Sequence, residues 1–199
     1  MAGTVTWEEF LTFSQQIVKI SDDICDGWRL EGSGDIPGST YLVKKLVKPS
    51  SESIPFLKDT DGEFVEDHDF QINSASSTCS WEYHVLYCPS YSVPVLYFNA
   101  WKSDGCILGL EEMWTLCQEY FQGQFQEDKW NILSQKEHPN LRRPFFHLHP
   151  CRTAQLLSCI GKNSWNPLVT WLSSVGPSVG LIMPLAYSSL QISGNPDNR

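Results

Sequence analysis

Basic residues are scarce: Lys and Arg number 14 against 23 Asp and Glu, a net charge of −9. A chain of that sign lacks the cationic footprint that a nucleic-acid binder sets against phosphates. Nor does it suit attachment to anionic lipid through basic residues. No Cys-x-x-Cys pair occurs, which argues against a zinc ribbon or a thioredoxin-type site. No Asn-x-Ser/Thr acceptor occurs, and Met1-Ala2-Gly3-Thr4 lacks the basic and apolar regions of a signal peptide. The seven cysteines, at 25, 79, 88, 106, 117, 151 and 159, are odd in number and scattered. Together these features predict a reducing, cytoplasmic setting with free thiols.

Charge is also missing from Asn163 to Pro196. A run that long could be read as a membrane span. Gly176, Pro177, Gly180 and Pro184 interrupt it, so a packed C-terminal region is expected and no transmembrane segment.

What is present suits one domain over residues 1–199, large enough to fold without a staple. The 8 Trp, 10 Phe and 7 Tyr supply a core and exclude global disorder. Thr6 and Glu9 have capping-box spacing ahead of Trp7, Phe10, Leu11, Ile17 and Val18, one face of a helix. Short strands are expected at Gly27–Glu31 and Tyr41–Val47. Residues 49–80, rich in Ser, Asp and Glu, read as a flexible acidic loop. Within it Asp59-Thr60-Asp61-Gly62 departs from calcium-loop spacing, and residues 59–69 could steer a basic partner. Trp81, Tyr83, Val85 and Tyr87 alternate with their neighbours, and Val93, Val95 and Tyr97 do so after Pro89-Ser90-Tyr91-Ser92, which is a hairpin pattern. Leu110, Met113, Trp114, Cys117 and Phe121 read as the core face of a helix. A strand at Phe145–Leu148, a helix at Thr153–Ile160, and a helix opened by Asn166-Pro167 and stopped at Gly176-Pro177 complete the pattern. Residues 188–199 read as a disordered tail. Strands in succession with helices packed on them indicate an α+β fold built on an antiparallel sheet.

The chemistry concentrates at His147-Leu148-His149-Pro150-Cys151-Arg152-Thr153. From the residues alone three readings stand. His147, His149 and Cys151 could ligate zinc, although no fourth ligand is local. Cys151 could be a small buried hydrophobe. It could also be a nucleophile, because Arg152 and the start of the following helix both favour thiolate, with His149 as base or as loop support.

Phe145-Phe146-His147-Leu148-His149-Pro150-Cys151-Arg152-Thr153 resembles the His-Pro-Cys signature of the autophagy ubiquitin-conjugating-like enzymes. One kind passes its modifier to phosphatidylethanolamine, and the other attaches autophagy modifier twelve to a lysine of autophagy protein five. Glu82–Tyr87 with Val93–Phe98, and Trp171–Leu181, resemble the second kind, as does the short chain. The resemblance implies a ubiquitin-conjugating-enzyme-like core, an antiparallel sheet flanked by helices with extra strands and a C-terminal helix. It implies Cys151 as the thioester nucleophile, supported by His149 and Pro150, and no cofactor or metal. It implies three partners: the activating enzyme (autophagy-related protein seven), modifier twelve and the substrate protein five. The alternatives are the lipid-conjugating kind and a catalytically silent adaptor of the same fold. His138-Pro139-Asn140 matches the His-Pro-Asn of ordinary ubiquitin-conjugating enzymes, which would make Asn140 an oxyanion donor. The hairpin is a candidate docking place, with Glu82 and His84 among its exposed positions.

Overall fold

The computed structural model describes residues 3–34, 36–49, 78–121, 133–150, 153–160 and 165–190. The chain runs α1 (Trp7–Ile24), β1 (Arg29–Glu31), β2 (Tyr41–Pro49), β3 (Thr78–Cys88), β4 (Val93–Lys102), α2 (Leu110–Phe121), β5 (Leu133–Glu137), β6 (Pro144–Leu148), α3 (Thr153–Ile160) and α4 (Pro167–Val175). Two 3₁₀ segments follow, Gly176–Val179 and Leu185–Leu190. The six strands form one sheet in the order β1-β2-β3-β4-β6-β5, every neighbouring pair antiparallel. This is the α+β arrangement expected from strands in succession.

α1 starts where the capping box places it. The Glu9 N–H donates to Thr6 Oγ1 at 3.1 Å, and the Thr6 N–H donates to Glu9 Oε2 at 2.8 Å. Trp7, Phe10 and Ile17 are buried, while Leu11 and Val18 pack on the core from its margin. The hairpin is longer than its alternation suggests. Cys88 pairs with Val93 at the turn and Cys79 with Lys102 at the far end. Pro94 sits opposite Tyr87 near the start of β4, where a missing donor costs little.

α4 is capped by Asn166, whose Oδ1 accepts from the Val169 N–H at 3.1 Å, with Pro167 as its first residue. The Asn166 Nδ2 also donates to Phe13 O at 3.0 Å and Gln16 Oε1 at 2.9 Å, so one buried side chain caps one helix and fastens it to another. The uncharged C-terminal region therefore packs rather than spans. Among the described residues no helix is long and apolar enough to cross a membrane.

The sheet buries both faces. On one, Trp81, Tyr83, Val85 and Tyr87 join Phe10, Trp28, Trp171 and Tyr187 in the main core. On the other, Tyr41, Val43, Leu86, Val95, Tyr97 and Phe145 form a second, smaller core. This corrects the expectation for Glu82 and His84: both are buried, at 5% and 1% exposure, because the turn between β5 and β6 folds over that face. Tyr83, Tyr87 and Tyr97 are core residues as well.

β5 is a strand the pattern does not announce. Within Leu-Ser-Gln-Lys-Glu only Leu133 is apolar and buried, because this edge strand pairs on one side alone. Pro49 and Thr78–Ser80 belong to strands rather than to the acidic loop, whose remainder, including Asp59–Gly62, lies outside the described residues. Ser188–Leu190 lie in the second 3₁₀ segment, and the rest of the expected tail lies outside. In α2, Met113, Trp114 and Cys117 are buried; the side chain of Phe121 lies outside the description.

Candidate active site

β6 ends at Leu148 and α3 begins at Thr153, so the His-Pro-Cys motif occupies the link between a central strand and a helix start. Cys151 and Arg152 lie outside the described residues; the residues on either side are described. Pro150 and Thr153 are buried, which anchors both ends of the link. His149 is exposed. Its ring meets the edge of Tyr91, in the β3–β4 turn, at 6.4 Å between centroids, and that of His147 at 6.2 Å. Tyr91 is half exposed, so it flanks His149 from the solvent side.

His147 is buried beneath this surface, stacked at a tilt on Tyr97 at 5.4 Å. The register that pairs Tyr97 with His147 places the two rings side by side. Its Nδ1 lies 3.1 Å from Ser134 O and 3.0 Å from Ser134 Oγ. A carbonyl only accepts, so Nδ1 carries the hydrogen and Nε2 keeps the lone pair. Burial pushes its pKa below the ordinary histidine value, so the ring is neutral at pH 7. Among the described residues no group of three His, Cys, Asp or Glu is placed to hold a metal ion.

The His138-Pro139-Asn140 stretch holds the β5–β6 turn against the sheet. Asn140 Nδ2 faces Gly38 O at 3.2 Å and Ser39 O at 3.4 Å. The donor an oxyanion would need is thus engaged by the β1–β2 loop. The backbone N–H groups of Asn140 and Leu141 both donate to Nδ1 of His138 at 3.2 Å. His138 must then present N–H at Nε2, which donates to His84 Nδ1 at 2.9 Å. His84 in turn presents N–H at Nε2 to Glu82 Oε1 at 3.1 Å. Lys45 Nζ and Arg143 Nη2 complete the carboxylate, each at 3.0 Å. Burial alone would raise the Glu82 carboxyl, but the bonds from His84 and Lys45 outweigh it and hold the group at about 2. Burial, with His84 and Arg143 adding to it, pushes His138 down to about 4. Both ring nitrogens of His84 and of His138 and both carboxylate oxygens of Glu82 have partners, which is the condition for a buried polar network to stabilise.

The six-stranded antiparallel sheet, the link from β6 to α3 whose sequence holds the motif cysteine, and the exposed His149 are the features set against known proteins. The family model described as "Autophagocytosis associated protein, active-site domain" matches residues 9–186. The chain belongs to this family. It is similar to the ubiquitin-like-conjugating enzyme ATG10 of Homo sapiens, 44% identical over 198 residues that cover 90% of this chain and 87% of that protein. The enzyme of the same name from Arabidopsis thaliana is 33% identical over 148 residues, covering 69% of this chain and 66% of that protein. Membership makes this chain a transferase of autophagy, of the ubiquitin-like-conjugating kind. The resemblance read from His-Pro-Cys and the two flanking stretches named this family.

Three features of the site were missed from sequence: Tyr91 beside His149, Ser134 as the carbonyl that fixes His147, and the Glu82–His84–His138 chain. Alternation in β6 puts His147 and His149 on one face, which is a signal for their proximity. Nothing local links Tyr91 or His138 to their partners.

Proposed function

We propose that Cys151 is the thioester nucleophile and that the modifier is autophagy modifier twelve, received from the activating enzyme and passed to a lysine of autophagy protein five in the cytoplasm. The observation that carries this reading is the placement of the His-Pro-Cys motif in the link between β6 and α3, with Pro150 and Thr153 buried at its ends and His149 open to solvent. The exposed His149, two residues before Cys151 in sequence, supports an approach to the motif by a large acyl donor. The start of α3 carries partial positive charge, and Arg152 follows in sequence; both favour the thiolate.

The chemistry is two acyl transfers. The Cys151 thiolate attacks the carbonyl of the thioester on the activating enzyme; that enzyme's cysteine leaves as thiolate and the modifier's C-terminal glycine is now bonded to Cys151. A substrate lysine amine then attacks the same carbonyl, the C–S bond breaks, Cys151 leaves as thiolate and the nitrogen gives up one proton. His149 and Pro150 support the link, with His149 steadied by Tyr91. The step needs no cofactor, because the thioester already carries the activation. The whole chain acts as one conjugating-enzyme-like domain.

The test is a non-reducing gel of the purified chain with the activating enzyme, ATP and modifier twelve. A thiol-sensitive adduct in the native chain, lost or converted to a thiol-resistant ester in Cys151→Ser, supports the reading. Failure of the native chain to form it overturns the reading.

A further inference from the structure

The lysines of β2 and β4 differ in what their side-chain nitrogens meet. Lys44 pairs with Asp26 at 2.5 Å, Lys45 with Glu82 at 3.0 Å and Lys102 with Glu112 at 2.5 Å. Lys48, half-buried near the end of β2, forms no ion pair among the described residues. Its Nζ lies over the rings of Trp81 at 4.7 Å and Tyr83 at 5.3 Å. It donates to Tyr83 Oη at 3.0 Å and to Gly180 O. The Tyr83 hydroxyl donates its own hydrogen to Val179 O at 2.8 Å, so toward Nζ it can only accept. Nζ thus meets two acceptors, which match the two hydrogens of a free amine rather than the three of an ammonium. The lone pair of that amine is left for an electrophile.

We infer that Lys48 is an acyl-acceptor site for small acyl thioesters, and that its acylation releases the Gly176–Val179 segment from the sheet. A lysine that is desolvated and stands near a second cation is the pattern of an activated amine nucleophile. Both conditions hold here: burial, with Lys44 adding to it, pushes Lys48 down from 10.5 to about 8. The two ring faces favour the cation, and the loss of water around Nζ outweighs them. In the reaction the amine attacks the thioester carbonyl, the C–S bond breaks, the thiolate leaves with the electron pair, and the nitrogen gives up one proton. A half-buried amine suits a short acyl group rather than a folded protein. The resulting amide keeps one N–H, so it can serve only one of Gly180 O and Tyr83 Oη, and it no longer carries a charge for the Trp81 ring. The Gly176–Val179 segment, with Ser178 and Val179 buried, then loses a tie to β2.

The experiment treats the full native chain with S-acetyl-N-acetylcysteamine, a small acyl thioester, and reads the acetylation rate of each lysine by peptide mass spectrometry across alkaline pH. Lys19 and Lys136, both exposed, are the internal references. Near neutral pH Lys48 is expected to acetylate about tenfold faster than either. Its rate is expected to level off above the value of about 8, while the references go on climbing toward 10.5. In the urea-unfolded chain the preference is expected to vanish. A Lys48 rate no greater than that of the references, or a profile that climbs with theirs, overturns the site. The second half is read from melting temperature before and after treatment, in the native chain and in Lys48→Arg, which keeps the charge and cannot be acetylated under these conditions. Treatment is expected to lower the native value and to leave that of Lys48→Arg nearly unchanged. An equal fall in both chains, or none in a native chain acetylated at Lys48, overturns the release.

Discussion

Nε2 of His138 lies 2.9 Å from Nδ1 of His84, and the backbone of Asn140 and Leu141 decides which of the two rings donates. The direction of that one bond sets the tautomer of both histidines. It ties the β5–β6 turn to the centre of the sheet, and it makes the fold sensitive to acid.

The acid sensitivity has a defined sign. Folded His138 takes its proton only near pH 4, against an ordinary value of 6.5. Between those values the unfolded chain binds more protons, so stability falls as pH drops from 6.5 to 4. Glu82 continues the trend: held at about 2 against 4.5, it stabilises fully above 4.5 and loses that contribution as pH falls toward 2. Each group accounts for on the order of 3 kcal/mol. Urea unfolding at pH 7, 6, 5 and 4 is expected to show a steady loss, and His138→Phe is expected to flatten it. An unchanged slope in that variant would show that another group titrates.

Removing the carboxylate is a separate matter from titrating it. Glu82→Ala leaves the His84 N–H without an acceptor in a buried site, while Lys45 and Arg143 can turn to solvent. The expected cost is about 2–4 kcal/mol. A denaturant midpoint at pH 7 measures it, and a cost below about 0.5 kcal/mol would mean that the face repacks.

Asn166 joins α4 to α1. Asn166→Ala removes the cap and both Nδ2 bonds to the α1 residues Phe13 and Gln16. A loss of about 2–3 kcal/mol follows, more than a cap alone supplies. Thermal or urea unfolding checks the value. A loss no larger than a surface cap would remove the tether from the account.

Tyr91 stands where stability and chemistry separate. It is 48% exposed, so Tyr91→Ala should leave the melting temperature nearly unchanged. Its ring meets His149, so discharge of the thioester should slow several-fold, about 3- to 10-fold, while Tyr91→Phe, which keeps the ring, should discharge at the native rate. Single-turnover assays distinguish these outcomes, and equal rates in all three chains would assign Tyr91 no role.

Much of this fold was legible in the sequence where a signal is local. Thr6 and Glu9 announce α1, Asn166-Pro167 announces α4, and strict alternation announces the β3–β4 hairpin. β5 was not legible, because Leu133 alone among its residues faces the core. Nor was the burial of Glu82 and His84, whose polarity on an alternating strand reads as a solvent face. Their partner His138 lies 54 positions from His84, and only the sheet order brings it there. At the site the motif was legible and its surroundings were not. His149 and Pro150 can be placed on a strand exit from the sequence, whereas Tyr91 reaches His149 through the hairpin's register.

On the proposed reading Cys151, and no other thiol, carries the modifier. Cys25, Cys106 and Cys159 are exposed and are the most accessible competing acceptors; Cys88 is half-buried, and Cys79 and Cys117 are buried, the Cys117 thiol pushed up to about 12 by that burial. The direct measurement is the thiol-sensitive adduct formed with activating enzyme, ATP and modifier twelve, compared between Cys151→Ser and a chain carrying Cys25→Ser, Cys106→Ser and Cys159→Ser together. The triple variant is expected to form a full adduct, and Cys151→Ser none that thiol can cleave. The reverse pattern would contradict it.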